Sequence, residues 1–160
     1  MSRHYSAPLT SSERAAFAQL NVAVPHDSGD EPFQRSAAAL IAYEMMAGGI
    51  REASYRSDLS RGGVRYRLTR RQLLGWQSET TGRWIVPSFQ FDGGLHELPE
   101  WPQLLAVLPD PDETAPLVLI DWLTSPREHL GGRSRAEELS ENPETIGQLL
   151  AEAELYNVPA

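Results

Sequence analysis

The stretch Ile50–Trp76, IREASYRSDLSRGGVRYRLTRRQLLGW, decides how the rest of the chain is read. Its spacing predicts two short helices, about 51–57 and 61–68, separated by Asp58-Leu59-Ser60. Ile50, Ser54, Leu59, Val64 and Leu68 form an apolar-and-small skeleton. Ser54 is small where the helices would cross, and Val64 and Leu68, four apart, face the same way. Ser60 stands where an N-cap belongs. Arg61, Arg65 and Arg67 are left pointing outward. Gly62-Gly63 weakens the second helix, by about 1 kcal/mol per glycine relative to alanine.

Working outward, Leu73–Gln77 and Arg83–Pro87 around the polar Ser78–Gly82 read as a β-hairpin beside the second helix. Alternation puts Trp84 and Val86 on one face, which should be packed, and Arg83 and Ile85 on the other. Upstream, Phe33, Ala37, Leu40, Ile41 and Met45 recur at helical spacing, so a helix is expected over 33–47, ended by Gly48-Gly49, with Met45-Met46 as core filling. Thr10-Ser11-Ser12-Glu13 is a capping box for a short helix carrying Ala16, Phe17 and Leu20, followed by a loop at 21–30. Past Asp92-Gly93-Gly94, prolines punctuate helices expected at about 101–108, 114–123, 135–139 and 143–155. Ser134 and Glu137 form a capping box, Asn142-Pro143 an N-cap and N1 pair, and Ile146, Leu149, Leu150 and Ala153 a buried stripe. Three segments follow: 1–32, 33–92 and 93–160.

The hydrophobic fraction of 41% over 160 residues is enough to build a core. There is no cysteine, which excludes disulfides and thiolate metal sites, and no apolar run nears the roughly 20 residues of a membrane helix. Nothing at residues 1–20 resembles a signal peptide, and a soluble, cytoplasmic protein is expected. The net charge of −8 opposes nucleic-acid binding by the chain as a whole, but the charge is unevenly placed. All 14 basic residues are arginine. Eight lie in 51–83 against Glu52, Asp58 and Glu79, giving +5, while six against nineteen acids elsewhere give −13. Opposite surfaces imply two different partners.

A helix of this kind enters the major groove of DNA and meets base edges, with cations on its flanks for phosphates. Arg61 or Arg65 suits the two acceptors of guanine, and Arg70, Arg71 and Arg83 suit the backbone. The rival reading is a solvated arginine face paired with the acidic half. Catalysis has little support, because His4, His26, His96 and His129 are dispersed and neither Ser36 nor Ser125 has a general base at recognisable spacing. No enzyme activity, cofactor or metal is expected.

Leu59–Leu68, Leu73-Leu74-Gly75-Trp76 and Gly82–Phe91 together resemble the DNA-binding half of antitoxins in the Xre/MbcA/ParS group. Trp122-Leu123-Thr124-Ser125-Pro126, then Leu130-Gly131-Gly132-Arg133-Ser134 and Leu139, resemble that group's toxin-binding domain. The likeness spans roughly residues 33–155. It implies a mainly α fold, a helix-turn-helix with a small hairpin wing (33–92), followed by a helical toxin-binding domain with a C-terminal tail (93–160). The implied partners are operator DNA, a RES-domain toxin that degrades NAD, and a second copy in a homodimer, with no membrane. Ser60, Arg61, Arg65, Arg67, Arg70, Arg71 and Arg83 become DNA-binding candidates. Pro126, Leu130, Gly131, Gly132, Arg133 and the tail Leu155, Tyr156, Asn157, Val158, Pro159 and Ala160 become toxin-binding candidates, the tail as a plug for the NAD site. Trp122 and Leu123 read first as core. Three positions depart from the group: Asp58 for glycine, Arg127 for asparagine and Arg135 for proline. A stand-alone transcription regulator is the alternative.

Overall fold

The computed structural model describes residues 32–156; the expected helix and loop near the N-terminus and the tail Asn157–Ala160 lie outside the described residues. From Pro32 the chain is mainly helical with one small antiparallel hairpin. Helix α1 (Pro32–Met46) stops just before the expected glycine pair, and Gly48 has no room for a side chain, since a β-carbon there would strike that of Glu52 at 2.6 Å. Helix α2 (Ile50–Ser57) starts at once, its Glu52 carboxylate accepting the Gly49 N–H at 2.8 Å. It ends at Asp58, whose φ of 59° is left-handed, a conformation that short polar side chains tolerate and glycine adopts freely. Ser60 then caps α3 (Arg61–Thr69) by accepting the Gly63 N–H at 2.9 Å. The turn between the helices is tied down by the Ser54 hydroxyl, which donates to the Leu59 carbonyl. Ala53, Val64, Leu68, Leu73 and Val86, each at most 5% exposed, pack beneath it as a small core.

The hairpin is shorter than its sequence pattern. Only β1 (Trp76–Gln77) and β2 (Trp84–Ile85) pair, with Trp76 opposite Ile85. The flanking backbone groups find other partners: Leu74 bonds the Gln90 side chain through both its N–H and its carbonyl, and the Val86 N–H donates to Gly48. Trp84 and Val86 do share a face, toward the small core, while Ile85 turns into a larger one. The hairpin is therefore a wedge between two cores.

The segment Ser88–Glu97 is two 3-10 turns kinked at Asp92-Gly93-Gly94; both glycines have positive φ, and a β-carbon on Gly93 would meet the Ser140 hydroxyl at 2.5 Å. Helices α4 (Glu100–Val107) and α5 (Pro116–Thr124, with Pro116 in its first turn) follow. Next come a 3-10 turn at Glu128–Leu130 and α6 (Arg135–Glu141), opened by the Ser134/Glu137 capping box. The last expected helix begins as a 3-10 turn at Pro143–Thr145 before becoming α7 (Ile146–Tyr156). The larger core joins Leu74, Trp76 and Ile85 to Leu95, Trp101, Leu104, Leu119, Leu123, Leu139 and Leu149, so it runs straight across residue 93. Trp122 and Leu123 belong to it, as their sequence context implies.

Helix α1 rests on this body through Ala39 against Leu117, Tyr43 stacked on Trp76 at 6.0 Å, and Glu44 accepting from the Trp76 indole at 2.8 Å. Burial pushes the Tyr43 hydroxyl up to about 12. Met45 and Met46, expected in the core, are instead 73% and 42% exposed, because the inward face of α1 is taken by Ala39, Ala42 and Tyr43. Among the described residues no helix is long and apolar enough to cross a membrane.

Candidate functional site

Of the three arginines expected to face outward on α3, Arg61 and Arg65 are exposed and Arg67 is half-buried. Arg70 at the C-terminal cap of α3, Arg51 and Arg56 on α2, and Arg83 at the hairpin are exposed as well. Among the described residues none of these seven has a carboxylate within 4.0 Å; the ion pairs that do form, apart from a weak one at His96, lie within residues 129–152. The rival reading, arginines neutralised by the acidic half, is not the arrangement seen. The Arg70 guanidinium lies 4.4 Å from the ring centre of Tyr66, a cation–π contact on the outer surface. Glu52, on α2, is held below the usual carboxylate range by its own and the Gly49 backbone N–H groups, with help from Arg51 and Arg61.

Arg71 departs from its expected role as a phosphate contact. Its φ of 55° turns the side chain back, and Nη2 donates to the carbonyls of Leu108 at 3.0 Å and Pro109 at 3.4 Å. This arginine fastens the end of α3 to the end of α4.

In the acidic half, residues 127–133 form a loop closed on itself: the Arg127 N–H donates to the Arg133 carbonyl at 3.0 Å, and the Gly132 N–H donates to that of Arg127 at 2.9 Å. Gly131 and Gly132 have φ of 67° and 84°, which only glycine adopts without strain. Pro126, Gly131 and Gly132 are exposed, whereas Leu130 is buried. Arg133 is paired within its own chain, to Glu138 at 2.7 Å and Glu141 at 3.5 Å. At the end of α7, Leu155 is 74% exposed and Tyr156 lies against Trp122. An open cleft of about 310 Å³ beside α6 is edged by Asp92, Glu137 and Glu141, carboxylates that would repel a phosphate.

A charged cluster ties this half together, and sequence reasoning missed it. Arg135, 9% exposed, lies 4.1 Å from the Trp122 ring centre, donates to the Trp122 carbonyl at 3.0 Å and pairs with Glu152 at 2.6 Å. The other oxygen of Glu152 meets His129 Nε2 at 2.8 Å. Burial pushes the Glu152 carboxyl up, but the hydrogen bonds from Arg135 and His129 outweigh it and leave it below the usual glutamate range. As pH falls through that range the unfolded chain takes up its proton first, so this group's stabilisation is present at neutral pH and lost in acid. Thermal denaturation between about pH 6 and pH 3 should show a steeper loss in the natural chain than in Glu152→Gln. Equal slopes would remove the linkage.

Set against family models, curated proteins and solved structures, the chain matches none of them.

Proposed function

We propose that the chain is a DNA-binding antitoxin, in which α2, the Asp58 turn and α3 form a helix-turn-helix and the acidic half holds a RES-domain toxin. The observation that carries the DNA reading is the set of exposed arginines on α2, along and just after α3, and just before β2 that have no carboxylate partner among the described residues. Cations that no acid among the described residues pairs with favour a polyanion, and counterions released from DNA drive the association. The Ser60 cap sets where α3 begins, Arg61, Arg65 and Arg70 stand along it, and Arg83 reaches from the hairpin to the adjacent backbone. In the same reading, the exposed Pro126, Gly131 and Gly132 and the residues from Leu155 onward meet the toxin, and a homodimer presents two α3 helices to a palindromic operator.

Gel shift with DNA from upstream of the coding sequence tests the first half, with a retarded species expected that weakens steeply as salt rises. Co-expression with a RES-domain toxin tests the second: growth should recover and the two chains should co-purify. Recovery of neither means the antitoxin role is abandoned. One observation favours the narrower reading, a stand-alone regulator: Arg133, a candidate contact, is already engaged by Glu138 and Glu141. DNA binding without toxin capture would establish it.

A further inference from the structure

We infer that the reading surface of α3 is centred on Gly62 and Tyr66, with the arginines as its flanks, and that it fits the floor of the major groove of duplex DNA. This rests on the DNA-binding reading above and assigns the contact within it. Helix α3 buries Val64 and Leu68. At about 100° per residue, the direction opposite these two carries Tyr66, with Gly62 and Arg70 to either side of it. Tyr66 is 53% exposed and Gly62 is exposed. Arg65 falls on one flank of this crest and Arg67 on the other, each about 100° round from Tyr66, while Arg61, in the first turn, lies nearer the buried side. In a groove, the crest of a helix meets base edges and its flanks meet the phosphate walls.

The two adjacent glycines have different reasons to exist. A β-carbon on Gly63 would crowd the Ser60 hydroxyl at 3.1 Å, so that residue serves the cap. One on Gly62 would meet nothing within 4 Å, and its φ is not left-handed. Nothing among the described residues requires glycine at 62, although it weakens the helix. A bare crest lets a helix approach its partner more closely. One turn later Tyr66 offers a flat ring and a hydroxyl that both donates and accepts, and the Arg70 guanidinium 4.4 Å away braces the ring. A bare step followed by an aromatic, rimmed by cations, matches base edges between two phosphate rows. The ring suits the methyl group of thymine, and the hydroxyl suits a neighbouring base edge.

The experiment uses the full chain, a duplex from upstream of its coding sequence and a scrambled duplex of equal composition, at one salt concentration. Gly62→Ala should raise Tm by roughly 2–4 °C while weakening binding to the upstream duplex about 10-fold. Gly147→Ala, at a helical glycine of α7 whose β-carbon also meets nothing, should raise Tm and leave binding unchanged. Tyr66→Ala should cut the preference for upstream over scrambled duplex about 10-fold, whereas Arg83→Ala should weaken both duplexes alike. Unaltered binding by Gly62→Ala and Tyr66→Ala, alongside weakened binding by Arg65→Ala, overturns the assignment and leaves the DNA reading standing. Preference of the natural chain for single strands also overturns it. Failure of the natural chain to bind any duplex overturns both.

Discussion

Gln90→Leu is expected to lower the folding stability of the chain by about 4 kcal/mol. The Gln90 side chain is fully buried and makes four hydrogen bonds. It accepts from the Leu74 N–H at 2.8 Å and the Trp101 indole at 3.2 Å, and donates to the carbonyls of Leu74 at 2.8 Å and Pro87 at 2.9 Å. Leucine fills nearly the same volume, so little cavity forms and the measured loss reports the groups left behind. Two donors and two acceptors would lose their partner, at about 1–3 kcal/mol for each that stays buried and unpaired. Local relaxation will rescue some of them, which is why the total is set well below their sum. Urea denaturation reads it directly as a lower midpoint. A change under about 1 kcal/mol would mean that water or neighbouring groups replace the amide, and that Gln90 is not what joins the residue 74 segment to α4.

Arg65→Ala combined with Arg83→Ala is expected to weaken DNA binding about 100-fold while altering stability by less than about 0.5 kcal/mol. Both side chains are exposed, and neither is among the ion pairs of the described residues, so the folded chain loses almost nothing with them. A bound phosphate loses two charge-assisted hydrogen bonds. If both arginines meet phosphates, the plot of log affinity against log salt should become shallower by about 2. Arg71→Ala supplies the contrast: its bonds go to Leu108 and Pro109, so its loss should appear in stability before it appears in binding. Undiminished affinity in the double variant would remove DNA from the function of this face.

Much of this was legible in the sequence, for reasons that are local. Helices α2 and α3, the Ser60 cap and the Ser134/Glu137 box depend on residues within four positions of one another, and spacing reveals such partners. The Asp58 turn could be read as the place where glycine is usual, and the left-handed φ there supplies the physical reason. The outward arginines on α3 follow from where Val64 and Leu68 point. What could not be read depends on distant partners. The phase of α1 is set by Leu117 and Trp76, which lie far along the chain, so Met45 and Met46 looked like core. The shortened strands and the buried amide of Gln90 are one feature, a side chain taking the place of a strand neighbour, and period-two alternation is blind to it. The role of Arg135 is hidden in the sequence because Glu152 and the Trp122 carbonyl, 17 and 13 residues away, are joined to it only by folding. Arg71 was misjudged because a single left-handed residue redirects its side chain.

Because the larger core runs across residue 93, the chain is not divisible where its composition changes. A fragment ending there would carry Leu74, Trp76 and Ile85 without the α4, α5, α6 and α7 side chains that complete their core, and the complementary fragment would lack one wall of its interior. Neither piece suits separate expression, and grafting the acidic half onto a different N-terminal half would require transplanting the hairpin with it. The hairpin, only two residues per strand, is thus the smallest unit that cannot be reassigned to either side.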